Sequence, residues 1–256
     1  MAFIDENTRF DADTIDAHVV GIAAEVGQHD SGMHQHTKGQ LLYAPQGCMR
    51  FAFDNSLCVL PPTKAVWIPP HTPHRATMTN VVAYRSLYFS CDDFEACPTE
   101  IVMVEVSDLL KALINTMALW PWDKPKEEMA LTTALFWECF HGARREQFQL
   151  PLPRSSRFDV FCQLMMKEDF LPPLLSKLTD YVGASTKTIT RQFKTETGMS
   201  YQDWRQQWRL LKAIELLSQQ RPVCEVAHAL DFSSDSAFIA FFKQHTGQTP
   251  RQFIHG

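Results

Sequence analysis

Two groups of residues in this chain have the type and spacing for chemistry. The first is His34-Gln35-His36, followed by Gln40 and then by Pro69-Pro70-His71-Thr72-Pro73-His74. Side chains two apart on a strand point the same way, so His34 and His36 share a face. A turn into a later strand at His74 brings a third imidazole opposite them across a small barrel. Three imidazoles suit a divalent transition metal such as Zn²⁺, Ni²⁺ or Fe²⁺. The same histidines are equally able to hydrogen-bond inside a barrel that holds an organic ligand. The second group is Ser185, Thr186, Lys187, Thr188, Thr190, Arg191 and Lys194, around Ile189 and Phe193, which sit four apart and turn inward. Arg and Lys pair with guanine or phosphate, and Thr bonds a base edge or touches a thymine methyl.

The second group recurs. Ser185 returns as Ser234, Ile189 as Phe238, Phe193 as Phe242, Lys194 as Lys243, Gly198 as Gly247 and Trp204 as Phe253, each 49 positions later. An ordered internal repeat of this kind marks a duplicated structural unit. Each copy reads as a support helix, a tight turn and a capped second helix whose N-terminal part faces base edges. The first copy spans about 174–197 and the second about 223–246. The second offers Ser234, Asp235, Ser236, Ile239 and Lys243 outward, with Phe238, Phe241 and Phe242 inward. Asp235 accepts from cytosine N4 but repels phosphate, so this copy is expected to contribute less readout and less charge. Tyr201–Ser218, within a connecting region of about 200–218, is long enough for one helix of roughly 27 Å at about 1.5 Å per residue. Such a spacer lets two readers meet successive major-groove segments about 34 Å apart.

The elements that must position the histidines are of a different kind. Residues 18–26, 40–44, 49–54, 64–68, 74–78 and 81–89 are short, rich in β-branched and aromatic residues, and bounded by Gly, Pro and Asn. That pattern indicates an all-β sandwich or barrel. Residues 107–120 and 127–141 change to helical spacing. Two packings are open for them: against their own barrel, or against a second chain through a stripe of Leu109, Leu113, Met117 and Trp120. The segment 149–156, with two prolines and two serines, reads as a linker. The fold expected is therefore multidomain. An N-terminal all-β barrel (1–95) is followed by two interdomain helices (96–148), a linker (149–156) and an all-α domain (157–256) with two helix-turn-helix units.

Charge follows the same division. Residues 1–150 carry 11 Lys+Arg against 19 Asp+Glu, a net of −8, and residues 151–256 carry 13 against 10, a net of +3. The overall charge of −5 excludes a protein that coats nucleic acid indiscriminately, while the asymmetry fits an acidic sensor joined to a domain that meets phosphates. Seven cysteines, an odd number without a CxxC pair, fit reduced thiols in a cytoplasmic protein. No stretch reads as a signal peptide or a membrane span.

Leu178 to Leu217, with Ser185, Arg191-Gln192-Phe193-Lys194, Gly198, Arg209, Ala213 and Leu216-Leu217, resembles the first half of the AraC/XylS DNA-binding domain. Phe232, Ser234, Ser236, Phe238, Phe242-Lys243, Gly247, Thr249-Pro250 and Phe253 resemble its second half. The sequence departs from that family at Asp231, where Gly is usual in a turn favouring positive φ, and at Ala240, where Arg is frequent. The N-terminal histidines resemble the cupin barrel, whose metal sites use a His-x-His pair, a Glu and a third His. His34, His36 and His74 match, and Gln40 falls at the Glu position.

These resemblances imply a transcriptional regulator with a cupin-like sensing domain. Its expected effector residues are His34, His36, Gln40, Tyr43, Trp67, His74 and Tyr88, the three histidines being the candidate metal ligands. Its expected partners are promoter DNA, a small-molecule effector, a second copy of the chain and, for an activator, RNA polymerase. No catalytic residue is assigned. Two rivals stand beside this reading: a metal-dependent cupin enzyme with an appended DNA-binding module, and a constitutive DNA-binding protein whose barrel only dimerises.

Overall fold

The computed structural model describes residues 10–27, 29–54, 56–78, 82–146, 149–165 and 170–255. They form two compact units, one of residues 1–51 and 59–148, the other of 52–58 and 149–256. The strands are β1 (Val19–Val26), β2 (His29–Asp30), β3 (Gly39–Gln46), β4 (Met49–Phe53), β5 (Ser56–Leu60), β6 (Lys64–Ile68), β7 (His74–Met78), β8 (Val82–Phe89) and β9 (Val102–Glu105). Helices α1 (Asp108–Ala118) and α2 (Lys126–Gly142) follow, then strands β10 (Arg145–Glu146) and β11 (Gln149–Pro151). The remainder is helical: α3 (Asp159–Met165), α4 (Leu175–Val182), α5 (Thr186–Thr197), α6 (Tyr201–Ser218), α7 (Val223–Ala229), α8 (Asp235–Thr246) and α9 (Pro250–His255). Among the described residues no helix is long and apolar enough to cross a membrane, and all seven cysteines are free thiols.

The strands form two sheets, ordered β1-β8-β3-β6-β9-β10 and β11-β5-β4-β7-β2. In the first, β8 lies between β1 and β3, with Gln40 opposite Tyr88 and Leu42 opposite Ser86. Because successive side chains alternate, this register splits the sheet into two chemically different faces. One face carries Val19, Leu41, Tyr43, Ala65, Trp67, Leu87 and Phe89, which pack with Leu110, Leu113, Ile114, Met117, Phe136, Trp137 and Phe140 of α1 and α2. Trp67 and Phe89 each meet Trp137 with ring centroids 5.2 and 4.9 Å apart. Burying such a side chain stabilises by about 1.5–3 kcal/mol, so this layer anchors both helices to the sheet. The other face carries Gln40, Ser86 and Tyr88. Tyr88 packs with Val20, Ile22 and Ala12, and Phe10 and Trp122 lie beside them.

The open question about α1 is answered by the same layer. Leu113, Met117 and Trp120 are buried in their own unit, while Leu109 is 51% exposed. The four residues are therefore not one free stripe; the exposed large apolar residues here are Leu109, Leu131 and Leu135 on the helices and Leu119 just after α1. Ser107 caps α1 as its type predicts, accepting from the Leu110 N–H at 3.2 Å.

The segment read as a linker begins instead as a strand. Gln149, Leu150 and Pro151 pair with Cys58, Leu57 and Ser56 of β5. Leu150 is fully buried, and the Pro151 carbonyl accepts the Trp204 indole N–H at 2.7 Å. Further along, the Arg154 and Ser155 N–H groups donate to Glu196, and Gln192 donates to the Ser155 hydroxyl. The prolines stop further sheet pairing, but one aliphatic residue ahead of them, Leu150, is enough to tie the segment down.

Gly21 shows how closely α1 sits on β1. A Cβ there would lie 2.1 Å from the Met117 carbonyl oxygen and 2.7 Å from the Ala118 Cα. Those are backbone atoms that cannot rotate away. Gly21→Val is expected to destabilise the β-rich unit by about 3 kcal/mol through overpacking. Gly27→Val, where a Cβ meets nothing within 4 Å, changes stability by about 0.5 kcal/mol or less. Urea midpoints followed by near-ultraviolet circular dichroism check this; equal midpoints for the two variants would contradict it.

Candidate nucleic-acid interface and imidazole site

The first reader is built by local rules. α4 buries Leu178 and Val182 and ends at Gly183, whose φ of 64° and ψ of 35° are left-handed. Glycine adopts that conformation without a Cβ clash. Ser185 then caps α5, its side chain accepting from the Thr188 N–H at 3.3 Å. Ile189, Phe193 and Thr197 are buried, with Phe193 edge-on to Tyr201 and Trp204. That leaves Ser185, Thr186, Lys187, Thr190, Arg191 and Lys194 exposed. Leu175, Thr186, Lys187, Thr190, Arg191, Lys194 and Thr195 line one open groove. Among the described residues, the side chains of Lys187, Arg191 and Lys194 have no ion-pair or hydrogen-bond partner. Three uncommitted cations and a threonine on one helix face are chemically suited to phosphates and base edges. Thr188 differs from its neighbours: it is half-buried, and its hydroxyl is engaged by Ser185 at 3.0 Å. It serves the cap.

The second reader has the same frame and a different surface. Ser234 caps α8 by accepting from the Ala237 N–H, and Phe238, Phe241 and Phe242 are buried. Ser234, Asp235, Ser236, Ala240 and Lys243 are exposed, while Ile239 is half-buried. The exposed set has one cation of its own, Lys243, and one carboxylate, Asp235. The turn before α8 contains Asp231 at φ 59°, a conformation that Asp reaches more easily than most residues.

What holds that turn is Arg209, which sequence reasoning placed only as a family match. Its Nε and Nη2 donate to the Leu230 carbonyl at 2.9 and 2.7 Å, and Nη2 also donates to the Asp231 carbonyl at 3.0 Å. The guanidinium lies 3.7 Å from the centroid of the Phe232 ring. Burial pulls its pKa down to about 10, which still leaves it charged at neutral pH. The planar fork suits two adjacent carbonyls and an aromatic face together. A charged residue flanked by Trp208 and Leu210 on a buried helix was the available signal.

In the β unit, His34 and His74 face each other across an isolated antiparallel bridge. His34 N–H donates to His74 O at 2.9 Å, and His74 N–H donates to His34 O at 2.8 Å. Their ring centroids are 4.4 Å apart, with His36 at 4.9 Å from His34 and 5.6 Å from His74. Nδ1 of His34 pairs with Gly32 O at 3.0 Å, and Nδ1 of His74 pairs with Thr72 O at 2.8 Å. Only an N–H can satisfy a carbonyl, so Nδ1 carries a proton in both rings and Nε2 is the nitrogen left to act as a donor atom when the ring is neutral. Burial, reinforced by the His34 ring, lowers the pKa of His36. Burial likewise takes His74 to about 4. Both are neutral bases at pH 7. Gln40 Nε2 donates to Ser86 Oγ at 2.9 Å and to Tyr88 OH at 2.8 Å, and Tyr88 stands edge-on to His36 at 5.1 Å.

The structure thus brings together His34, His36, Gln40, His74 and Tyr88. Tyr43 and Trp67, expected in the same site, lie in the layer beneath α1 and α2. They have the opposite strand parity and cannot share a cavity with Gln40. One neighbour was not anticipated. The segment at Asp11–Ile15 is fixed over this region by Lys38, whose Nζ donates to Ala12 O at 2.9 Å and also to Ile15 O. Asp13 accepts from the Thr37 and Lys38 N–H groups.

Residues 178–255 match the helix-turn-helix domain, and residues 16–147 match the AraC-like ligand binding domain. The chain is 34% identical over 239 residues to the HTH-type transcriptional regulator NimR of Escherichia coli (strain K12), covering 91% of this chain and 85% of NimR. It is 32% identical over 107 residues to the HTH-type transcriptional regulator RipA of Corynebacterium glutamicum, 42% of this chain and 32% of RipA. It is 28% identical over 149 residues to the HTH-type transcriptional activator RhaS of Pectobacterium carotovorum, 57% of this chain and 53% of RhaS.

Replacing Arg209 with Met keeps much of the volume but leaves the Leu230 and Asp231 carbonyls without their donors. The expected loss is about 2–4 kcal/mol, with DNA binding reduced although Arg209 is buried. A urea midpoint equal to that of the parent chain would show that the turn does not depend on this clamp.

Proposed function

The chain belongs to the AraC family of helix-turn-helix transcriptional regulators, and we propose that α5 carries most of its sequence-specific contact with promoter DNA. The observation that supports this is the outward face of Lys187, Thr190, Arg191 and Lys194, cationic and without internal partners. Arg191 is assigned to a base edge or an adjacent phosphate, and Lys187 and Lys194 to phosphates. Thr190 is assigned to a base edge or thymine methyl. α8 contributes less: Ser234, Ser236, Ile239 and Lys243 reach the duplex, while Asp235 limits how closely phosphates approach. The β unit binds a small-molecule effector at His34, His36, Gln40, His74 and Tyr88, under the Asp11–Ile15 segment.

The protein acts by binding and not by turnover, in the cytoplasm where its operator lies, and an activating role would add RNA polymerase as a partner. Effector occupancy must change operator affinity through a difference in its own affinity for two states of the protein. The exposed apolar positions Leu109, Leu131 and Leu135 support a second copy as a partner.

Selection of bound fragments from genomic DNA by the purified chain, at fixed salt, tests the reading and supplies the operator. On that operator, Arg191→Ala is expected to weaken binding by about 1–3 kcal/mol and to relax the base preference at one position. Lys194→Ala weakens all sequences alike and lowers the slope of log K against log salt by about 1. Uniform weak binding that Arg191→Ala leaves unchanged would remove α5 as the reader.

A further inference from the structure

The imidazole site carries an inference that deepens the effector reading and rests on it only for its regulatory meaning. We infer that His34, His36 and His74 bind one divalent late first-row transition-metal ion. Gln40 lies beside it as a neutral neighbour, and a coordination position stays open for a donor atom of the effector.

The first argument is the set of donors. One nitrogen from each of the three rings falls in a group whose members all lie within 4.8 Å of one another. Nε2 of His36 and Nε2 of His74 are buried without a hydrogen-bond partner. A buried polar atom left unpaired is costly and calls for an explanation. Two such nitrogens converging with a third imidazole are the environment that an ion of this class satisfies.

The second argument is orientation. Metal-binding histidines characteristically donate the other ring N–H to a carbonyl or carboxylate, which fixes tautomer and direction. His34 and His74 both do so, to Gly32 O and Thr72 O. The bridge between their backbones fixes where both rings start, and the His36 carbonyl accepts the His71 N–H at 2.7 Å. A tetrahedral ion at about 2.0–2.1 Å from each nitrogen holds its donors about 3.4 Å apart. The donors, now within 4.8 Å of one another, would have to close to that value by side-chain rotation on binding.

The third argument concerns charge and the open position. Gln40 Oε1 is buried and unpartnered, while its amide nitrogen is held by Ser86 and Tyr88. Asp13 is committed to the Thr37 and Lys38 N–H groups and stands outside the donor set. Three imidazoles and one amide bring no negative charge into the donor set itself, so the ion's double positive charge is offset only by the more distant Asp11 and Asp13. An anionic or lone-pair donor entering the site is therefore favoured, and this selects effectors that bear such an atom.

The test uses the full-length chain, stripped with chelator, dialysed and titrated with Co²⁺. Visible ligand-field bands saturating at one ion per chain, and displaced by Zn²⁺, are expected; their absence from folded protein overturns the site. His36→Gln should weaken Co²⁺ binding by about 100-fold or more, and His29→Gln should leave it unchanged. Gln40→Glu should tighten it by about tenfold or more, since a carboxylate replaces an amide beside the ion. Circular dichroism of each variant separates lost ligation from lost folding, and because the Gln40→Glu effect is a gain, misfolding cannot mimic it. Azide, added to the cobalt protein, should shift the bands; bands that form but do not move overturn the open position. Operator binding measured on the same samples separates the two readings. A parent chain that binds its operator but no cobalt refutes the metal site alone, and one that binds cobalt but no operator refutes the regulator.

Discussion

Both readers depend on one helix that has no solvent face over half its length. In α6 every residue from Trp208 to Leu217 is buried, which makes it the core of the helical unit and not a spacer on its surface. A helix apolar all round would satisfy that role without complication, but this one carries Arg209, Lys212 and Glu215 within the buried stretch. Each must be matched, because a buried charge without a partner is strongly destabilising. Lys212 and Glu215 meet each other at 3.2 Å. Arg209 turns to the carbonyls at the end of α7, where the helix dipole also favours a cation. Burial of α6 is therefore what fixes the turn ahead of α8, and Phe193 packing against Tyr201 and Trp204 fixes α5 on the same helix.

This explains why the helical half was legible in the sequence. Its signals are local: Ser185 and Ser234 three residues before the N–H groups they cap, glycine at 183, 198 and 247 where φ is positive, and aromatic pairs four apart. Every one of them is decided within a turn or two of the chain. Arg209 was not legible as a clamp because its partners stand 21 and 22 residues away. Asp231 was legible as a tolerated exception, and its φ of 59° agrees.

The β unit was legible in kind but not in parity. Amphipathic strands announce their inner face by alternation, yet β3 is buried at six consecutive positions, from Gly39 to Ala44, and β6 along its whole length. When both faces are covered, hydrophobicity no longer distinguishes them. Tyr43 and Trp67 were grouped with Gln40 for that reason, although register sets them on the helix side. His34 and His36 do not lie on a strand as the His-x-His spacing suggests: they fall between β2 and β3, and the isolated bridge from His34 to His74 is what brings the rings together. The tract at 149–156 misled in the opposite sense. Its prolines and serines resemble a linker, while the burial of Leu150 and the bond from Trp204 to Pro151 are long-range facts.

The two readers share a scaffold and differ in charge, and this difference has a physical consequence for binding. The part of affinity that comes from counterion release scales with the phosphates neutralised, and α5 exposes three cations where α8 exposes Lys243 against Asp235. On the proposed assignment of these faces to DNA, salt-dependent attraction is expected to concentrate on one of two equivalent helices. The weaker helix keeps small side chains, Ser234, Ser236 and Ala240, at the surface that its fold directs outward. Small, uncharged groups permit close approach to a groove without dictating a base, which agrees with the smaller share of readout proposed for α8. The sheet unit likewise places imidazoles and an amide, with no carboxylate among them, at its candidate site. In both units, what the chain leaves uncompensated marks where a partner is expected to supply the missing charge or donor.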